Sequence, residues 1–200
     1  MVKAIFNMKK IILVIIVISL HCIFSCSDTT KTDEKTAGEI TQLGWTSFSN
    51  SKYEDAKYYF QKAIGMDNSL ADAYNGLGWT MAKLDSINVS IDNFLICLEK
   101  ANANIISEAN AGISFDYNVQ NEHQKCIDYA ENIDSEWIFS HNTNIDYNDI
   151  TLLMAISYYA LGHFAESLAK VQILDADFDA DITIPQGRAE LAQKIEELKK

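Results

Sequence analysis

The chain has 200 residues, enough for one domain with a sizeable core, and its 48% hydrophobic and 22% charged residues are those of a folded protein. A formal net charge of −12 excludes a dedicated nucleic-acid binder, which needs a basic face, and argues against a body lying flat on anionic lipid. One proline and eight glycines among long periodic stretches point to helix nearly throughout, with no strand pattern.

Residues 1–25 read as an export signal. Lys3, Lys9 and Lys10 form a basic start (Met8 offers a second initiation point), and residues 11–20 are an apolar run broken only by Ser19. That run is half the ~20 residues a membrane-spanning helix needs, so the pattern is that of a secretory signal peptide. It ends in Ile23-Phe24-Ser25-Cys26. This tetrad resembles the lipobox of bacterial lipoproteins: an aliphatic residue, a free position, a small residue, then cysteine. The resemblance implies lipidation of Cys26, with diacylglycerol on its sulfur, cleavage before it and a third acyl chain on the new amine. Cys22 is the rival acceptor, but His21 before it is not small. An ordinary signal peptide or an uncleaved anchor is the alternative. Several acyl chains hold firmly where one is marginal.

Residues 26–36 then form the acylated cysteine and a tether; 27–36 carry no apolar side chain and cannot pack. Ten extended residues reach at most ~35 Å, which keeps the domain near the membrane. Cleavage would remove the three lysines and take the net charge from −12 to −15. Ser27 in place of Asp favours the outer over the inner membrane by the sorting rule of enteric bacteria. The expected location is the cell envelope, facing the periplasm.

A repeat begins at residue 37. Gly44, Gly78 and Gly112 stand 34 residues apart, the first two inside Leu43-Gly44-Trp45-Thr46 and Leu77-Gly78-Trp79-Thr80. Twelve residues after the glycine comes Ala56, then Ser90; four further on Phe60 and Phe94; three more, Ala63 and Cys97. Spacings of three and four keep these residues on one helical face. Small residues let helices approach, and Leu and Phe fill the space between turns. A third unit is stretched: Cys126 follows Gly112 by 14 residues, across a polar turn at 117–122. In a fourth, Met154-Ala155 replaces Leu-Gly, followed by Tyr158, Gly162-His163-Phe164, Ser167, Val171 and Leu174. The remaining excess falls in 133–148, which is expected to be an irregular loop.

The spacing predicts helices over 38–50, 53–66, 71–84, 87–100, 104–117, 121–133, 148–161, 164–175 and 185–199. Residues 183–200 read as a terminal helix over the last apolar face, opened by a capping box at Thr183-Ile184-Pro185-Gln186. The units are 37–70, 71–104, 105–140 and 148–181, within a repeat region of 37–182.

These phrases resemble tetratricopeptide (TPR) repeats, and together with the lipobox the chain resembles TPR lipoproteins of bacteria with two membranes. The resemblance implies an all-α solenoid of about four helical hairpins plus a C-terminal capping helix, with a concave groove lined by the first helix of each unit. The family's groove positions fall on Thr41, Trp45, Phe48, Asn75, Trp79, Ile113 and Tyr159, which would offer aromatic anchors and one amide to a partner segment. The alternative is that these aromatics pack among themselves. Ala82, Asp116 and Ile156 occupy further groove positions.

The expected function is a non-enzymatic, lipid-anchored protein-interaction scaffold, without cofactor or metal. A small-ligand or solute-binding envelope lipoprotein is the second reading, and a hydrolase using the 134–149 loop the third. His141, Asp146 and Asp149 show no recognised ligand spacing, and Asp149 reads as a helix N-cap. Trp137, Ile138 and Phe139 are expected to plug the seam between units three and four. His123 and His163 fall in turns and are expected to be solvated. Cys97 and Cys126 could pair after export or stay buried as thiols; no zinc spacing surrounds them.

Overall fold

A helix with one apolar stripe is stable only when another element covers it, and here hairpins cover hairpins. The computed structural model describes residues 34–101 and 103–199; the signal segment and Cys26 lie outside the described residues. Nine helices occur among the described residues: α1 (Ala37–Ser49), α2 (Tyr53–Met66), α3 (Ala71–Lys83), α4 (Ile87–Lys100), α5 (Ala103–Val119), α6 (His123–Ala130), α7 (Tyr147–Ala160), α8 (Phe164–Leu174) and α9 (Pro185–Leu198). They pair as α1–α2, α3–α4, α5–α6 and α7–α8, and the first helices α1, α3, α5 and α7 also touch in succession.

The glycine period has a steric cause. Phe60 on α2 and Phe94 on α4 are fully buried. A Cβ on Gly44 would stand 2.6 Å from the Phe60 ring, and one on Gly78 2.7 Å from the Phe94 ring. Gly76 would press closer still on Phe60, and Gly112 on Phe94. Each ring is thus clasped between a glycine of its own hairpin and a glycine of the next, and hairpin is joined to hairpin at that point.

The turns repeat as closely as the rings. Ser51, Asp85, Asn121 and Gly162 take φ of 58°, 54°, 61° and 79°. In each unit the next residue's N–H donates five positions back: Lys52 to Ser47 O, Ser86 to Met81 O, Glu122 to Tyr117 O and His163 to Tyr158 O, all at 2.9 Å. A left-handed residue followed by a six-to-one bond closes the first helix and aims the chain into the second. Ser90 Oγ and Ser167 Oγ each donate to the carbonyl twelve residues back, at Gly78 and Ala155, both at 2.8 Å.

Helix ends differ from the expected ones in three places. The second helix of unit three covers His123–Ala130, not 121–133. Past it, Asn132 and Ile133 donate to carbonyls only three back, which tightens and ends the coil. The N-cap of α9 is Ile184, which has no side-chain acceptor, so the expected Thr183 capping box does not form. Thr183 instead binds Asp181 Oδ1 through its N–H and hydroxyl. Asp149 is not the N-cap of α7: Asp146 is, accepting from Asn148 N–H at 2.7 Å, and Asp149 Oδ2 accepts the Asp146 N–H at 2.9 Å.

The apolar face left by α7 and α8 is closed by α9, whose Leu191 and Ile195 are buried with Ala155 and Val171. Cys97 and Cys126 are buried free thiols. Burial raises both, Cys97 to about 12 with the Asp72 and Glu108 carboxylates adding to the shift.

Candidate functional site

The first helices place Thr41, Trp45 and Phe48 (α1), Asn75 and Trp79 (α3) and Ile113 (α5) on the face expected to be a groove, and all six are buried. They are covered by the chain itself. Between α6 and α7 the segment 134–146 runs extended for a few residues, so neighbouring side chains alternate. Trp137 and Phe139 point in, while Ile138 is 56% exposed. Phe139 N–H donates to Ile145 O at 2.9 Å and Tyr147 N–H to Trp137 O at 3.0 Å, around an antiparallel bridge of Ile138 with Asp146.

Phe139 is the centre of the cluster. Its ring stacks on Trp79 (centroids 4.4 Å, interplanar 24°) and meets Trp45 and Phe48 edge-on at 6.2 Å. His141 stacks flat on Trp45 at 3.5 Å and 5°. Offset and edge contacts of this kind add to area burial. Polar pins hold the same segment. Glu108 Oε1 accepts from Ser140 N–H (3.2 Å) and Ser140 Oγ–H (2.6 Å), and its Oε2 accepts from Asn75 Nδ2–H at 2.7 Å. Trp45 Nε1–H donates to Asp72 Oδ1 at 2.9 Å. A buried carboxylate is tolerable only when its oxygens are bonded this way.

Asp72, Glu108 and His141 form the charged cluster of this face. Burial raises the Asp72 carboxyl, against the Trp45 indole and His141, which pull it down. Burial also lowers His141, although Glu108 and Asp72 favour its charged form.

The predicted groove is therefore not an open one. Thr41 spends its hydroxyl on Ala37 O at 3.0 Å. Tyr159, the seventh groove residue, is half-buried, donates to Arg188 O at 3.1 Å and lies under α9. Phe139 sits against the aromatics of units one and two, and Ser140 against Glu108 of unit three, rather than at the seam of units three and four. Ile138 takes no part. His141, Asp146 and Asp149 are committed to the Trp45 stack and the α7 cap. Among the described residues no group of His, Cys, Asp or Glu converges as a metal ligand set. His163 is exposed, but His123 is half-buried with Nδ1 3.4 Å from Ser157 Oγ.

Two of the hollows fall on groove positions, the first beside the loop at Ile145 and the second among α6, α7 and α9. One, of about 270 Å³, is lined by Trp79, Ala82, Phe115, Asp116, Val119 and Ile145 with Lys83, Asp85 and Ile87 at its edge. The other, about 300 Å³, is lined chiefly by His123, Ile156, Tyr159, Ala192, Ile195 and Lys199. Both include groove positions of the repeat. Sequence reasoning missed Asp72 and Glu108; the one available signal was a lone acid in the otherwise uncharged run from 101 to 115.

Two crystal structures of MamA are similar to this chain, each 18% identical with a TM-score of 0.56; one match covers 84% of both chains, the other 85% of this chain and 80% of that one. A third similar structure, of the APC/C hetero-tetramer Cut9-Hcn1, is 17% identical with a TM-score of 0.54, covering 80% of this chain and 30% of that chain. The class is thus an all-α helical-hairpin solenoid of the tetratricopeptide type. The likeness is one of fold. No protein-family model matches the chain, and no curated protein matches its sequence.

Proposed function

We propose that this protein is a lipid-anchored scaffold of the cell envelope, fastened through Cys26 and facing the periplasm, that binds a protein partner on the part of its concave face left free by the 134–146 loop. The observation that carries this reading is the pair of hollows on groove positions of a helical-hairpin array, one of them apolar with an acid at its base. Such arrays act by presenting surface to other chains. The Ile23–Cys26 tetrad supports the anchor, and Ser27 favours the outer membrane. The solute-binding reading has less support, since hollows of about 270 and 300 Å³ stand at the bottom of the ~300–1,000 Å³ range of ligand pockets.

The test has two arms. Radiolabelled palmitate should enter the wild-type chain and not Cys26→Ala. Crosslinking in native envelopes should then yield a reproducible protein adduct at Val119, whose side chain lies at the rim of the first hollow. Absence of label removes the anchor; absence of any adduct, with saturable uptake of a small solute, removes the scaffold.

A further inference from the structure

The 34-residue period lets the first two units be compared side chain by side chain. Trp45, Phe48 and Tyr53 of unit one correspond to Trp79, Ala82 and Ile87 of unit two. In unit one the three rings fill the corner between the end of α1 and the start of α2. Phe48 meets Trp45 edge-on at 5.6 Å and Tyr53 at 5.6 Å, and it is buried. In unit two the tryptophan is kept, but alanine stands for the phenylalanine and isoleucine for the tyrosine. All three of these unit-two residues line the first hollow. A ring missing from a packed corner leaves a cavity when the backbone cannot close on it. Here α3, α4 and α5 are held apart by the Phe94 clasp between Gly78 and Gly112. The hollow of about 270 Å³ is thus a place that unit one fills from within and unit two leaves open.

The hollow is open to solvent. Ala82, Ile87, Phe115 and Ile145 are half-buried, and Val119 at the rim is 65% exposed. Adjoining apolar surface left bare in this way marks a contact site. Its charges call for a neutral occupant: Lys83 and Asp85 stand at the edge with opposite signs, and Asp116 is buried in the wall. The chain also shows what this face accepts. The neighbouring seat, which shares Trp79 with the hollow, holds the Phe139 ring stacked on that indole at 4.4 Å, and Ile145 of the same loop walls the hollow. Both the counterpart in unit one and the neighbour on the concave face are therefore filled by a phenyl ring.

We infer that this hollow receives an aromatic side chain, a phenylalanine of the partner, in the place that Phe48 takes in unit one. The inference rests on the scaffold reading for the source of the ring, and on the comparison of the two units for its chemistry. A ring seated there buries much area at small entropy cost, which is how aromatic anchors hold protein partners.

The experiment is titration of the full chain in detergent with Nα-acetyl-phenylalanine methylamide, read by NMR at the Ala82 methyl and the Val119 amide. Binding should be saturable and confined to the residues of the hollow. The leucine analogue should bind about threefold more weakly or worse, and the lysine analogue not at all. Ala82→Phe supplies the missing ring from within, so it should abolish binding with the urea midpoint kept or raised. Val119→Asp changes an exposed side chain, leaves the fold intact and sets a charge at the mouth, so it should weaken the probe about tenfold. No saturable binding, equal binding of the leucine analogue, binding that survives both variants, or a lowered midpoint for Ala82→Phe overturns the inference. An envelope adduct at Val119 that Ala82→Phe leaves unchanged would sink the hollow and leave the scaffold. Probe binding by a chain that yields no protein adduct would sink the scaffold as the source of the ring and make a free aromatic solute the ligand.

Discussion

Replacing Phe139 by Ala removes the side chain around which the closed face is built. The ring is fully buried and touches Trp45, Phe48, Trp79 and Trp137. Truncating a buried Phe costs ~3–5 kcal/mol, the lost transfer energy plus the cavity left behind. The upper half of that range applies, because helices on both sides of the ring prevent collapse and several aromatic contacts are lost together. Domains of this size have about 5–15 kcal/mol in all, so the variant should unfold at a much lower urea concentration with little change in slope. Ile138→Ala is the internal control. Its side chain is 56% exposed one residue away, and its effect should stay within about 0.5 kcal/mol. A loss below about 1 kcal/mol for Phe139→Ala at an unchanged slope, or equal losses for the two variants, would refute the claim that the loop is part of the core.

Gly112→Ala should cost about 2 kcal/mol in urea melts, because its Cβ would drive into a Phe94 ring already backed by Gly78. Gly65→Ala, where nothing lies within 4 Å, should instead stabilise by up to ~1 kcal/mol through helix propensity; a shared sign would contradict the clasp. Ser51→Gly relieves a left-handed residue at φ 58° and should raise stability by roughly 1 kcal/mol, an increase absent if the turn has another conformation. Asp116 is held at about 7 from an ordinary 3.8, so the fold favours its protonated form. That contribution is complete below about pH 4, shrinks as pH rises toward 7 and is gone above it. The advantage of Asp116→Asn over wild type should therefore grow from pH 4 to 7, toward an upper limit of about 4 kcal/mol, and a pH-independent difference would show that the carboxyl is hydrated.

The local rules were legible where one residue type answers one steric need. Gly44, Gly78 and Gly112, with Phe60 and Phe94, announced the hairpins because close helix crossing admits so little else. Gly76 escaped notice because it stands off the 34-residue period, yet it clasps Phe60 as Gly112 clasps Phe94. The turn glycine was visible only at 162; Ser51, Asp85 and Asn121 take the same left-handed backbone with side chains that do not advertise it. Asp146 and Asp149 were confused because a capping box uses both acids, three residues apart. The closing of the groove was not legible at all. Helical periodicity says which side chains share a face, not which distant segment will lie on it. Trp137, Ile138 and Phe139 are three apolar residues in a row, so the in-out-in order of an extended segment with one buried side could not be read from them. Glu108 became meaningful only when Ser140 and Asn75 were placed around it.

Amide hydrogen exchange at Phe139 and Ser140 tests the central claim most directly. With the loop seated in the concave face, these N–H groups are bonded to Ile145 O at 2.9 Å and Glu108 Oε1 at 3.2 Å, and they should exchange as slowly as the backbone of α4 around Phe94. Exchange at free-peptide rates while α4 stays protected would mean that the loop lies off the array and that the groove is open.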